Sequence, residues 1–144
     1  MSTVMGAVER GGDVRLRVVP DRSRESVHGF VEEHVSSEAD ALPSDAYNAY
    51  IGAANKIRVP HARVNRAAGE WVNGQVHTNT IEGVFSLVDR SIIGAYHNVS
   101  KKHLPAYLDE VEWRYNNRYN HYLFRDTMLE LIEAEPMEYK KLTA

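Results

Sequence analysis

The stretch TVMGAVERGGDVRLRVV, residues 3–19, constrains the fold more than any other part of the chain. Val14, Leu16 and Val18 alternate with Arg15 and Arg17, and that period of two makes a strand with one apolar and one basic face. Thr3 to Val8 is short, apolar and β-rich, so it supplies a second strand. Between them Gly11-Gly12 offers the positive φ angles of a tight hairpin turn, and Pro20 ends the pair. The chain therefore opens as an antiparallel hairpin.

The period then changes. After Ser23, a good helix cap, Val27, Phe30, Val31 and Val35 recur at helical spacing with Glu32 and Glu33 opposite. Ala39 to Leu42 reads as a short buried strand ending at Pro43-Ser44-Asp45. Tyr47, Tyr50 and Ile51 suggest a brief helix, broken near Gly52. Ile57 to Val64 reads as an edge strand or bulge, because Pro60 lacks a ladder donor. Beyond a polar loop, Ile81, Val84, Phe85 and Val88 form one helical face. Leu104, Tyr107, Leu108, Val111 and Tyr115 form another, starting close to Pro105 because an interior proline costs about 3 kcal/mol. A last helix from about Asp126 is expected to pack Met128, Leu131 and Ile132. The order is strand, strand, helix, strand, helix, strand and three helices, which predicts an α/β fold: a mixed sheet with helices on its faces.

The 144 residues make one domain large enough for a single core, with the helices of about 100–135 as its C-terminal part. The absence of cysteine excludes a disulfide scaffold, a thiol nucleophile and a Cys-based zinc ribbon, and fits a cytoplasmic protein. No apolar run reaches membrane-spanning length, and MSTVMGAVERGG has no signal-peptide pattern; it reads like the middle of a domain. The net charge of −3 does not mark a nucleic-acid binder, but the basic residues cluster. Arg10, Arg15, Arg17, Arg22 and Arg24 lie early, then Lys56, Arg58, Arg63 and Arg66, then Lys101 and Lys102. They are either a phosphate-facing surface or scattered solvated charge.

Two carboxylates stand at element junctions. Asp45 follows a strand and precedes a helix, a place for a helix cap and equally for a ligand at the carboxyl end of a strand. Glu82 lies three residues after Asn79 in HTNTIEGVFSLVDR, residues 77–90, which makes a variant capping box worth roughly 1 kcal/mol. It is also a hard-oxygen donor on the first turn of a helix, the kind that magnesium and manganese prefer. The seven histidines lack zinc-ligand spacing, and no P-loop, GxGxxG or GxSxG occurs. Ser44 and Ser86 have no evident base partner, which argues against a serine hydrolase. WRYNNRYNHY, residues 113–122, either stacks on bases and contacts phosphates or is half core and half solvated helix end.

Together these pieces resemble the catalytic domain of bacterial and archaeal insertion-sequence transposases of the DDE type. VMGAVERGGDVRLRVVPDRS looks like the hairpin after the first catalytic strand, and SDAYNAY like the segment with the second catalytic Asp. The run from VNRAAGEWVNGQVHTNTIEG to GAYHNVSKKHL looks like the loop and helix of the third acid, and EVEWRYNNR like the closing helix. The resemblance implies an RNase H-like (integrase-like) mixed sheet. It implies that Asp45 and Glu82 are catalytic metal ligands, with Asn79 a lesser candidate in the same motif. Their separation, about thirty-five residues, has the size expected of two ligands of a two-metal site. It further implies Mg2+ or Mn2+ as cofactor and nicking and strand transfer at transposon ends. Transposon-end and target DNA are the partners, met by Arg90, Lys101, Lys102, Arg63 and Arg66, and the protein is nucleoid-associated when bound.

Three departures qualify that expectation. The family's first Asp lies on a strand preceding Val4 to Val8, and neither Asp13, in a turn, nor Asp21, at the far end of the next strand, replaces it. The lysine expected two helical turns past the acid is Asp89, with Arg90 beside it. The aromatic expected after the motif glycine is Val84, followed by Phe85. The sheet thus lacks its usual first central strand, and its inner edges need a shifted pairing, an oligomer or a complementing N-terminal fragment. The expected protein is a truncated transposase with impaired or no autonomous catalysis; the alternative is a non-enzymatic α/β DNA-binding or protein-interaction module whose Asp45 and Glu82 only cap helices.

Overall fold

The computed structural model describes residues 2–44, 48–63, 79–97 and 99–138. Strands β1 (Thr3–Val8) and β2 (Val14–Val19) form the expected antiparallel hairpin, in register from Thr3↔Val19 to Val8↔Val14. The turn is wider than a two-residue one: the Glu9 N–H donates to the Asp13 carbonyl at 2.9 Å and Gly12 donates to Glu9 at 3.0 Å. Of its two glycines only Gly11, at φ +74°, takes the left-handed conformation.

Helix α1 (Arg24–His34) starts where Ser23 Oγ accepts from the Ser26 N–H. Asp21 backs this cap through Oδ1, which accepts from Ser23 N (2.9 Å) and Ser26 Oγ (2.7 Å); the Ser23 hydroxyl first, then these two bonds, hold its carboxyl below the usual range. Val27, Phe30 and Val31 are buried as their spacing predicts. A turn closed by the Ala39 N–H on the Ser36 carbonyl precedes the expected strand, which is shifted: Ala39, Asp40 and Ala41 are not strand, and β3 is Leu42–Ser44.

Helix α2 (Ala49–Ile57) runs through Gly52 rather than breaking there. A Cβ on Gly52 would lie 2.8 Å from His28 Nε2, so the missing side chain lets α2 pass close over α1. The helix ends at Arg58, whose φ of 60° turns the chain, while the Val59 N–H closes on the Ala54 carbonyl. Ile57 thus belongs to the helix, and β4 is only His61–Arg63; Val64 lies outside the described residues. The Pro60 carbonyl accepts from Leu42, and β4 pairs with β3 in parallel.

Helix α3 (Asn79–Ser91) continues into a π-helical turn (Ile92–Tyr96), followed by α4 (Leu104–Asn116) and α5 (Leu123–Glu133). Pro105 sits in the first turn of α4, where its missing N–H is not needed. The expected order of elements holds. The expected single mixed sheet does not: among the described residues the strands form two two-stranded sheets, β1–β2 and β3–β4.

The core has two parts, one on each side of the hairpin. Met5, with Ala7 and Val19 beside it, packs with Val27, Phe30 and Val31 of α1 and Ala49 and Ala53 of α2. Val14 and Leu16 pack with Val84 and Val88 of α3 and Leu108 and Val111 of α4, with Val4, Val8 and Val18 at the margin. Alternation along the hairpin therefore feeds two helical layers. Helix α5 joins neither: it has no buried residue, and Met128, Leu131 and Ile132, expected in the core, are exposed.

Candidate active site and its two sheet edges

Strand β3 delivers the chain to Asp45, which itself lies outside the described residues. The residue before it, Ser44, is buried, and its Oγ is 2.7 Å from His61 Nε2 on β4. Ser44 thus has the imidazole partner that one-dimensional spacing did not reveal, because parallel pairing brings together residues seventeen apart. The contact ties the carboxyl end of β3 to β4 just before Asp45.

Glu82 is exposed on the first turn of α3. Its neighbours Ile81 and Phe85 face β1 at Gly6, where a Cβ would come within 3.0 Å of Ile81 Cδ1, 3.1 Å of Phe85 Cζ and 2.9 Å of Leu16 Cδ2. The absence of a side chain at Gly6 sets how closely α3, and with it Glu82, approaches the sheet. The described part of the helix begins at Asn79, and Thr78 before it lies outside the described residues.

The two edges of the hairpin differ. At the outer edge of β2, Glu112 Oε2 accepts from the Leu16 N–H at 2.8 Å and from Arg17 at 2.9 Å, while Oε1 accepts from Arg15 at 3.1 Å. Asn116 accepts from the Val14 N–H and donates to the Val14 carbonyl. Helix α4 thereby closes this edge with side chains, and Arg15 and Arg17 are both paired with its Glu112. Because Val14 and Leu16 turn their N–H groups toward α4, their ladder partners Val8 and Gly6 turn theirs the opposite way. On that side lies a groove of about 390 Å3, formed by residues 3–6 of β1 with Arg22, Tyr50 of α2 and Phe85 of α3. It reaches both helical layers, as the position of a further strand would.

Of the basic candidates, Arg90 is exposed in the last turn of α3, and Lys101 and Lys102 are exposed in the turn leading to α4. Arg63 ends β4 but its side chain, like all of Arg66, lies outside the described residues. Asp89 is exposed next to Arg90. Within the run 113–122, Arg118 donates to the Tyr115 and Gly12 carbonyls and lies over the Tyr115 ring at 4.0 Å, while Trp113, Tyr119 and Tyr122 are exposed. Tyr96, in the GAYHNVS segment, donates to Glu110 Oε2 at 2.6 Å and packs on Tyr107, fixing the π-helical turn to α4.

The model of the ISXO2-like transposase domain family matches residues 1–116. The chain belongs to that transposase family. No curated protein and no solved structure matches it. The family match ends at the last residue of α4, and α5 follows the matched residues. Asp45 follows β3 in the sequence and Glu82 lies on α3, and carboxylates are hard-oxygen donors of the kind that magnesium and manganese prefer. Among the described residues, no three His, Asp or Glu side chains come together as a metal-binding group. No helix among them is long and apolar enough to cross a membrane.

Proposed function

We propose that this chain acts in DNA transposition as an RNase H-like domain in which Asp45 and Glu82 hold divalent metal and a further carboxylate comes from an added strand. The observation that carries this reading is the edge of β1 that no strand among the described residues pairs with, facing a groove between the two helical layers, with Glu82 on the helix that overlies the same strand. A strand seated there would join the two small sheets and bring its own side chains beside those of β1 and β3. Without it, the two acids form an incomplete metal site, and cutting by the chain alone is impaired or absent.

Magnesium or manganese, when bound, would supply Lewis-acid activation of the attacking and leaving oxygens. The residues of this chain contribute positioning. Gly6 lets α3 approach the sheet, the Ser44–His61 contact steadies the end of β3, and Asn79 accompanies Glu82 on the first turn of α3. Arg90, Lys101, Lys102, Arg63 and Arg66 would contact DNA phosphates of transposon ends and target, fixing register rather than reading sequence.

Manganese binding, followed by electron paramagnetic resonance of the full chain, tests the site. Glu82→Gln and Asp45→Asn are each expected to weaken binding at least about ten-fold, the loss of roughly 1.4 kcal/mol. Unchanged affinity in both variants would refute the assignment. Glu82-dependent nicking of supercoiled DNA by the unsupplemented chain would refute the need for an added strand.

A further inference from the structure

The connection from α3 to α4 carries a backbone strain that no contact inside the molecule offsets. Helix α3 runs into the π-helical turn Ile92–Tyr96, a rare form concentrated at functional sites. The next residue, His97, takes φ 56° and ψ −40°. Positive φ is costly for a residue with a Cβ, and is best tolerated in the left-handed region that ends many helices. Arg58 is of that kind: at φ 60° and ψ 31° it ends α2. His97 shares the φ but not the ψ, so ending a helix does not account for it. Its neighbour Tyr96 holds the turn in place, donating to Glu110 at 2.6 Å and packing on the Tyr107 ring at 4.4 Å. His97 itself is exposed, and its imidazole has no hydrogen-bond or ion-pair partner among the described residues.

The charge around it favours an anion. Lys101 and Lys102 follow on the same connection, exposed and without an ion-pair partner among the described residues. Of the acids nearby, Glu110 is engaged by Tyr96 and Arg114, and Asp89 lies about two helical turns back along α3 beside Arg90. We infer that His97 is a DNA contact: its imidazole donates a hydrogen bond to a backbone phosphate next to those met by Lys101 and Lys102, and its strained backbone turns it outward to do so. Successive phosphates suit such a row of donors along one short segment, and the contact fixes position rather than reading sequence. This rests on the reading of the chain as a DNA-binding transposase and adds a residue to its interface; it does not depend on the metal site.

Fluorescence anisotropy on a labelled duplex and thermal unfolding of the full chain test this together. His97→Ala keeps the positive φ and should weaken DNA binding about five-fold, the loss of one such hydrogen bond, without raising Tm. His97→Gly removes both side chain and strain. It should lose the same affinity yet melt about 2–4 °C above His97→Ala, net of glycine's larger unfolded-state entropy. His97→Asn keeps a donor and tolerates positive φ, so it should retain most of the affinity. A merely structural residue would not lose affinity while gaining stability. His97→Ala binding DNA like the wild type overturns the inference, as does His97→Gly melting no higher than His97→Ala. If Lys101→Ala and Lys102→Ala weaken binding while His97→Ala does not, the DNA surface stands and His97 is removed from it. If the wild type itself does not bind the duplex, the DNA-binding reading falls and the inference with it.

Discussion

Asn116, on the last turn of α4, hydrogen-bonds Val14 as a neighbouring strand would: its Oδ1 accepts from the Val14 N–H at 2.7 Å and its Nδ2 donates to the Val14 carbonyl at 3.0 Å. Val14 is fully buried, so its N–H depends on this side chain, while its carbonyl also accepts from Arg15 Nη1 at 3.2 Å. Asn116→Ala should therefore destabilise the domain by about 1–3 kcal/mol, measured by urea unfolding. Asn116→Asp keeps the acceptor but turns a carboxylate toward a carbonyl. It should fail to rescue at neutral pH and recover part of the loss in acid, where the protonated carboxyl can donate.

Gly6 makes a prediction about both stability and the site. The tips of Leu16, Ile81 and Phe85 close around the space where its side chain would be. Gly6→Val should cost about 1–3 kcal/mol in thermal or urea unfolding, and Gly6→Ala less. Because the larger side chain must displace Ile81 and Phe85 of α3, Gly6→Val should also weaken manganese binding under conditions where the domain remains folded, and Gly6→Ala, which only turns side-chain tips aside, should weaken it less.

The Tyr96–Glu110 hydrogen bond gives the fold a pH dependence with a definite sign. The Tyr96 hydroxyl, assisted by Arg114, holds the Glu110 carboxyl below its usual range, while Glu110 pushes the Tyr96 hydroxyl above its own. A depressed carboxylate stabilises the fold above its unfolded pKa, and that contribution is lost as pH falls through the folded value. A raised phenol stabilises below its unfolded pKa, and its contribution is lost as pH rises through the folded value. Tyr96→Phe should flatten both limbs of the stability–pH profile and lower stability most between them, as read by denaturant unfolding across pH.

Lys101 and Lys102 are exposed in the turn before α4. If they contact phosphates, replacing each by alanine should reduce the slope of log K against log salt by about 0.9 and weaken binding alike on unrelated duplexes. A salt slope unchanged by the double variant would remove them from the DNA interface.

The sequence by itself determined the hairpin, the helical faces of α1, α3 and α4 and the transposase family, because periods of two and 3.6 record which residues turn inward. The places where it misled are places where a neighbour decides. Gly52 looks like a break until α1 passes beneath it, and Ile57 looks like a strand residue until Arg58 turns the chain. Ser44 lacks a base partner until β4 brings His61 alongside. Glu112 and Asn116 read as the polar face of a closing helix, and only the tertiary structure makes them the outer edge of a sheet. Glu82 lay within a recognisable motif. Its height over β1 is set instead by a contact that Gly6 permits, and contacts between residues far apart in the chain leave no period in the sequence.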